Sequence, residues 1–213
     1  MIIDSYKTIA HEAEGYYSAK RSRFISFAVP VTTVDEVKEW VAKYRKQYYD
    51  AHHVCWAYIL GPERKAFRAN DDGEPSSTAG KPILGQINSN VLTDILVVVV
   101  RYFGGIELGT GGLITAYRTA AAEAIAAAEI VERTVTEDVR ITFDYPNLNS
   151  VMRIVKDMQP DILSQSFEMT CEMKFRIRKR EVETFKNRLS SFAEFKPPHG
   201  FEFNDLNQFP DTL

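Results

Sequence analysis

Cysteine is scarce. Cys55 and Cys171 are the only two in 213 residues, far apart and in no C-x-x-C or zinc-ligand spacing. That excludes a disulfide-stapled fold and a thiolate metal site. Each lone Cys lies in a strand-like pattern, where it reads as a small buried apolar residue. Positive charge is not in excess either: 26 Lys and Arg face 29 Asp and Glu, for a formal net charge of −3, and neither half of the chain is basic. No global field pulls the chain toward nucleic acid or an anionic membrane, so a nucleic-acid role needs a local patch. No apolar run approaches the length that crosses a bilayer, and the opening residues MIIDSYKTIAHE are too polar for a secretory leader. The expectation is a reduced, cytoplasmic protein with no membrane partner. The motifs G-x-G-x-x-G, G-x-x-x-x-G-K-[ST], the EF-hand loop and G-x-S-x-G are all missing. Internal repeats and low-complexity segments are missing too.

What is present centres on residues 95–128, ILVVVVRYFGGIELGTGGLITAYRTAAAEAIAAA. The β-branched run Ile95 to Val100 fits a strand covered on both faces. Glycines 104, 105, 109, 111 and 112 follow. Then comes an alanine-rich helix with Ile114, Tyr117, Ala121, Ile125 and Ala128 at helical spacing. Strand, glycine loop and helix in that order bring unpaired helix-start N–H groups to a place where glycines permit close approach of an anion. The same glycines equally serve tight turns with positive φ.

Upstream, residues 6–10 and 24–31 read as strands, and between them Ser18 to Arg23 is a small basic cluster. Thr33-Val34-Asp35-Glu36 is a capping box that starts a helix ending near Asp50. Residues 53–60 and 66–69 are strands about a Gly61-Pro62 turn. Residues 70–81 form a loop long enough to suggest function, and residues 82–90 a short helix. From about Thr134 a second pattern begins. Val139, Ile141, Phe143 and Tyr145 alternate with polar residues, and a helix follows Pro146. Residues 162–169 and 171–178 make a strand pair, residues 180–192 a helix, and residues 201–206 a last edge strand. The order βαββαβ is the ferredoxin-like pattern. The fold class is α+β, with domains at 1–133 and 134–213.

The stretches VVVVRYFGGIELG and GGLITAYRTAA, with DAHHVCWAY and NDDGEPSSTAGKPIL upstream in the right order, resemble the signature of the IMPACT/YigZ family. The likeness runs over nearly the whole chain. It implies a first domain like the second domain of a small-subunit ribosomal protein, an α/β unit. It implies a second domain like the C-terminal domain of elongation factor G. It further implies a setting in translation or its initiation, without a known reaction and without a cofactor. Eukaryotic relatives act by competing for a protein partner, using N-terminal sequence that this chain does not carry.

The candidate chemistry lies in four groups. His52 and His53 open a strand, as a general base and ligand or as one core and one solvent residue by alternation. Asp71, Asp72 and Glu74 surround Gly73, as acid–base groups or as a solvated turn; no metal site is assigned to them. Arg101 ends the central strand, either receiving a phosphate or carboxylate or forming a buried pair with Asp71, Asp72 or Glu107. With Lys81, Gly104, Gly105, Gly109, Thr110, Gly111 and Gly112 it makes the candidate anion site. Lys174, Arg176, Arg178, Lys179 and Arg180 form a basic run whose first three members share a strand face, the candidate RNA contact. The resulting expectation is a translation-associated binding protein without catalysis, contacting ribosome, structured RNA or a protein partner. The rival is an enzyme or binder of a phosphorylated or nucleotide-like small ligand at the glycine loop.

Overall fold

The computed structural model describes residues 3–168, 170–191 and 204–205. The chain divides into two compact units, Ser5–Arg133 and Thr134–Leu213, the latter joined by Met1–Asp4.

In the first unit the elements are β1 (Ser5–Ile9), β2 (Ala13–Ala19), β3 (Ser22–Pro30), α1 (Val34–Gln47), β4 (His53–Leu60), β5 (Ala66–Asn70), α2 (Gly80–Ser89), β6 (Ile95–Tyr102), α3 (Gly109–Ala127) and β7 (Ile130–Thr134). Five strands form one sheet in the order β2-β3-β6-β4-β5, and β1 pairs with β7. Every pairing in the five-stranded sheet is antiparallel. Antiparallel sheets usually leave one face to water; this one is covered on both, so its central strand shows no alternation. Leu96, Val98 and Val100 of β6 pack with Val37, Val41 and Tyr44 of α1. Ile95, Val97 and Val99 pack on the other side with Ile83 and Ile87 of α2 and the alanines of α3.

The alanines let α3 lie close to the sheet. Ser26 Oγ donates to the Ala120 carbonyl at 2.6 Å, and a Cβ built on Gly15 would come within 2.3 Å of the Ala124 backbone nitrogen. The capping box at Thr33 forms as its spacing predicts, with both reciprocal bonds to Glu36 present.

Two elements differ from the sequence expectation. Strand β2 (Ala13–Ala19) has no counterpart in the sequence reading, and the basic cluster Ser18 to Arg23 is its end, a two-residue turn and the start of β3, with Ala19 opposite Ser22. Lys20 and Arg21 have φ of 43° and 67°. A tight hairpin needs positive φ at both central positions, which Asn-Gly normally supplies; Lys-Arg carries no such signal. The short strand β7 likewise went unread. It follows the alanine helix directly, with no turn signature ahead of it.

The second unit comprises β8 (Thr136–Asp144), a 3-10 turn (Tyr145–Asn147), α4 (Leu148–Met158), β9 (Asp161–Phe167), β10 (Thr170–Arg178), α5 (Lys179–Ser190) and β11 (Asn204–Asp205). Its antiparallel sheet has the order β11-β8-β10-β9, the ferredoxin-like arrangement. Val139, Ile141 and Phe143 join Cys171, Met173, Phe175 and Ile177 beneath Val151, Val155, Val182, Phe185 and Leu189. Met169, Phe192 and most of the expected last strand lie outside the described residues.

Candidate functional site

The site forms where β4 begins and β6 ends. These strands run antiparallel, so His53 lies directly opposite Arg101, and the His52 amide donates to the Arg101 carbonyl at 3.0 Å. The loop after β5 then brings in Glu74. Arg101 Nη1 donates to Glu74 Oε1 at 2.5 Å, with the two side chains only 7% and 3% exposed. Tyr117 of α3 donates its hydroxyl to the same oxygen at 2.7 Å. Beneath Tyr117, the Cys55 thiol faces its hydroxyl at 3.4 Å and donates to the Asp71 carbonyl at 3.0 Å. Burial pushes both the Cys55 thiol and the Tyr117 hydroxyl upward in pKa, so both stay protonated.

The two imidazoles face the site in opposite tautomeric senses. His53 Nδ1 lies 2.8 Å from the Asp72 carbonyl, which can only accept, so Nδ1 carries the hydrogen. Its Nε2 then faces Glu74 Oε1 at 3.9 Å. His52 Nδ1 instead accepts from the Phe103 amide at 3.4 Å, and its ring meets Phe103 edge-on at 6.0 Å.

These groups line an open cleft of about 460 Å³ with Pro75, Phe103, Glu107, Leu108, Gly109, Thr110 and Leu113. The first turn of α3 meets the cleft through Gly109 and Thr110, and its N-cap residue, Leu108, gives no side-chain cap. The opening amides of a 19-residue helix are therefore without an internal acceptor. Arg101 adds a second unmet donor. Its Nε is buried without a partner, and its Cζ lies 5.6 Å from the ring centres of both Phe24 and Phe103.

The structure brings together His52, His53, Glu74, Arg101, Gly109 and Thr110. It does not bring in Asp71 or Asp72. Asp71 serves α2: Oδ1 accepts from the amides of Ala79 and Gly80 at 3.0 and 2.8 Å, and Oδ2 from Ser77 at 2.9 Å. Asp72 binds the Val54 amide at 2.6 Å and the Arg45 guanidinium. Lys81 lies in a different groove with Ser77, Gly85 and Arg118. Gly104 is needed for packing, since a Cβ there would come within 2.1 Å of the Arg21 carbonyl carbon, and Gly105 for its φ of 81°. Gly111 and Gly112 sit in α3 and do not line the cleft. The buried pair of Arg101 is with Glu74, not with Asp71, Asp72 or Glu107. Tyr117 and Phe103 carried no functional signal in sequence. Tyr117 sits on the core stripe of an alanine helix, and only its hydroxyl betrays a polar task. Among the described residues no group of three or more His, Cys, Asp and Glu is arranged to hold a metal.

The basic run of the second unit meets acids. Arg176 Nε reaches Asp138 at 2.9 Å, and Lys174 reaches the same carboxylate at 3.5 Å. Arg178 and Arg180 reach Asp4 at 3.2 and 3.4 Å. Lys179 opens α5.

Comparison with known proteins adds kinship. The model of the Impact N-terminal domain matches residues 20–125. IMPACT family member YvyE of Bacillus subtilis is 33% identical over 195 residues, covering 92% of this chain and 90% of that protein. IMPACT family member YigZ of Escherichia coli is 30% identical over 176 residues, covering 82% and 86% respectively. Protein IMPACT of Rattus norvegicus is 32% identical over 104 residues, 47% of this chain and 32% of its own length. A crystal structure described as that of an hypothetical protein superposes with a TM-score of 0.70 at 26% identity, covering 97% of this chain and all of the other.

Proposed function

Because the chain belongs to the IMPACT family, we propose that it is a translation-associated binding protein whose cleft holds a phosphate group of its partner. The observation that carries this is Arg101. A guanidinium 6% exposed, with one nitrogen on Glu74 and Nε unmet, shares a cleft with the uncapped start of α3. Unmet buried donors cost free energy; an anion is the acceptor suited to the helix-start amides, and the Arg101 guanidinium lining the same cleft adds positive charge beside them. Phe103, Leu108 and Leu113 supply an apolar wall for the body that bears the phosphate.

Two features argue against catalysis as the main task. The buried thiol is held protonated beneath Tyr117. Glu74 is committed to Arg101 and Tyr117, so it is poorly placed to move protons. The test is thermal stabilisation by pyrophosphate and by nucleotides, with ribosome co-sedimentation at two salt concentrations alongside. Stabilisation that disappears in Arg101→Met, measured where that variant remains folded, supports the reading. If neither phosphate ligands nor ribosomes associate, the reading fails.

The rival, a small phosphorylated ligand as the sole partner, draws on the same cleft. It predicts nucleotide stabilisation without ribosome association.

A further inference from the structure

The basic run of the second unit and the cations of the β2–β3 turn differ in whether an acid sits against them. Lys174, Arg176, Arg178 and Arg180 each meet Asp138 or Asp4. Two carboxylates shared among four cations offset part of their charge within the fold. The β2–β3 turn is the opposite case. Lys20, Arg21 and Arg23 are all exposed, and among the described residues none of the three forms an ion pair. Arg23 lies instead over the Tyr102 ring, its Cζ 4.8 Å from the centre.

This turn abuts the cleft. Arg23 pairs with Tyr102 across the sheet, and the Gly104 amide donates to Ser22 Oγ at 3.2 Å. Gly104 is so close to Arg21 that no side chain fits between them. Phe103, which lines the cleft, is 41% exposed. Tyr49 is 86% exposed and adjoins Asp50, whose carboxylate accepts from the Tyr102 hydroxyl at 2.8 Å. One end of the sheet therefore displays three unpaired cations and two aromatic faces beside the cleft.

Aromatic faces interleaved with cations are what a single-stranded nucleic acid uses: bases stack and phosphates meet charge. A free nucleotide would need only the cleft. Inside it, Arg101 is offset by Glu74 and Glu107 also lines the wall, so the pull on a polyanion must come from the turn. Glu107 in the cleft wall is an acceptor suited to a ribose 2′-hydroxyl, which DNA lacks. We infer that the phosphate-bearing partner is single-stranded RNA. It runs from the cleft across Phe103 and Tyr49 onto the β2–β3 turn, with phosphates on Lys20, Arg21 and Arg23. This rests on the cleft being the phosphate site.

The test is fluorescence anisotropy of the full chain with labelled oligouridylate and oligothymidylate at two salt concentrations. The informative variant is Lys20→Asn/Arg21→Gly. It removes two charges yet installs the dipeptide that a two-residue hairpin turn favours, so lost binding cannot be put down to unfolding. Its log affinity should depend on log salt with a slope shallower by about 0.7 per phosphate contact removed. Tyr49→Ala, at an exposed position, should weaken oligouridylate about tenfold. Oligouridylate should bind more tightly than oligothymidylate. Lys174→Glu/Arg176→Glu should bind as the parent does. The inference is overturned if the turn variant binds RNA unchanged, if the second-unit variant loses as much, or if the DNA oligomer binds equally well. Pyrophosphate stabilisation with no RNA binding would overturn it while leaving the phosphate cleft standing. Loss of both would remove the two together.

Discussion

Glu74 Oε1 takes two donors at once, and that concentrates the energetics of the site on one atom. Removing Arg101 leaves a buried carboxylate hydrogen-bonded to a phenol, with His53 Nε2 at 3.9 Å, and poorly compensated buried charges are costly. Arg101→Met should lower unfolding stability by about 3–5 kcal/mol in urea titrations. Adding Glu74→Gln should recover a large part of that, because the orphaned charge is gone. A stability loss under 1 kcal/mol would show that the pair carries little. Asp138 gives a second residue-level test. Hydrogen bonds from Arg176 hold its carboxyl below the usual carboxylate range, with Lys174 assisting. A folded pKa below the unfolded one contributes stability above the ordinary value near 4. That contribution is lost as pH falls from there through the folded value. Asp138→Asn should therefore flatten the acid limb of the stability curve of the Thr134–Leu213 unit, leaving neutral-to-basic behaviour alike in slope.

At the scale of elements, what was legible depended on whether the signal was local. The α1 start was readable because a capping box is a three-residue spacing, and both of its bonds form. Thr33→Ala should cost about 1 kcal/mol, read as a shift in urea midpoint with unchanged slope. The β2–β3 hairpin was not readable. Its turn places Lys and Arg at positive φ, where composition points to a linker. Helix α2, expected over residues 82–90, spans Gly80–Ser89. Its cap was invisible, because the capping group is Asp71, nine residues before Gly80. Side chains that reach back from a loop leave no fixed spacing to read.

Across the whole molecule, the apolar residues fall into separate cores, and the cluster around Phe175 shares no member with those around β6. Phe175→Ala should destabilise its own unit by about 3–5 kcal/mol. Hydrogen exchange should then show lost amide protection in β8 and β10 while β6 stays protected; equal loss in both would refute separate cores. Sequence by itself determined most of the elements, the α+β class and the family, because periodicity, caps and contiguous signatures are written in neighbouring residues. Only the tertiary structure decided that Glu74 rather than Asp71 or Asp72 meets Arg101, that Tyr117 turns its hydroxyl into the site, and that the Lys-Arg turn stands beside the cleft. Glu74 and Arg101 are 27 residues apart. What joins them is the antiparallel placement of β4 against β6 and the loop that follows β5, and such non-local pairing leaves no periodic trace along the chain.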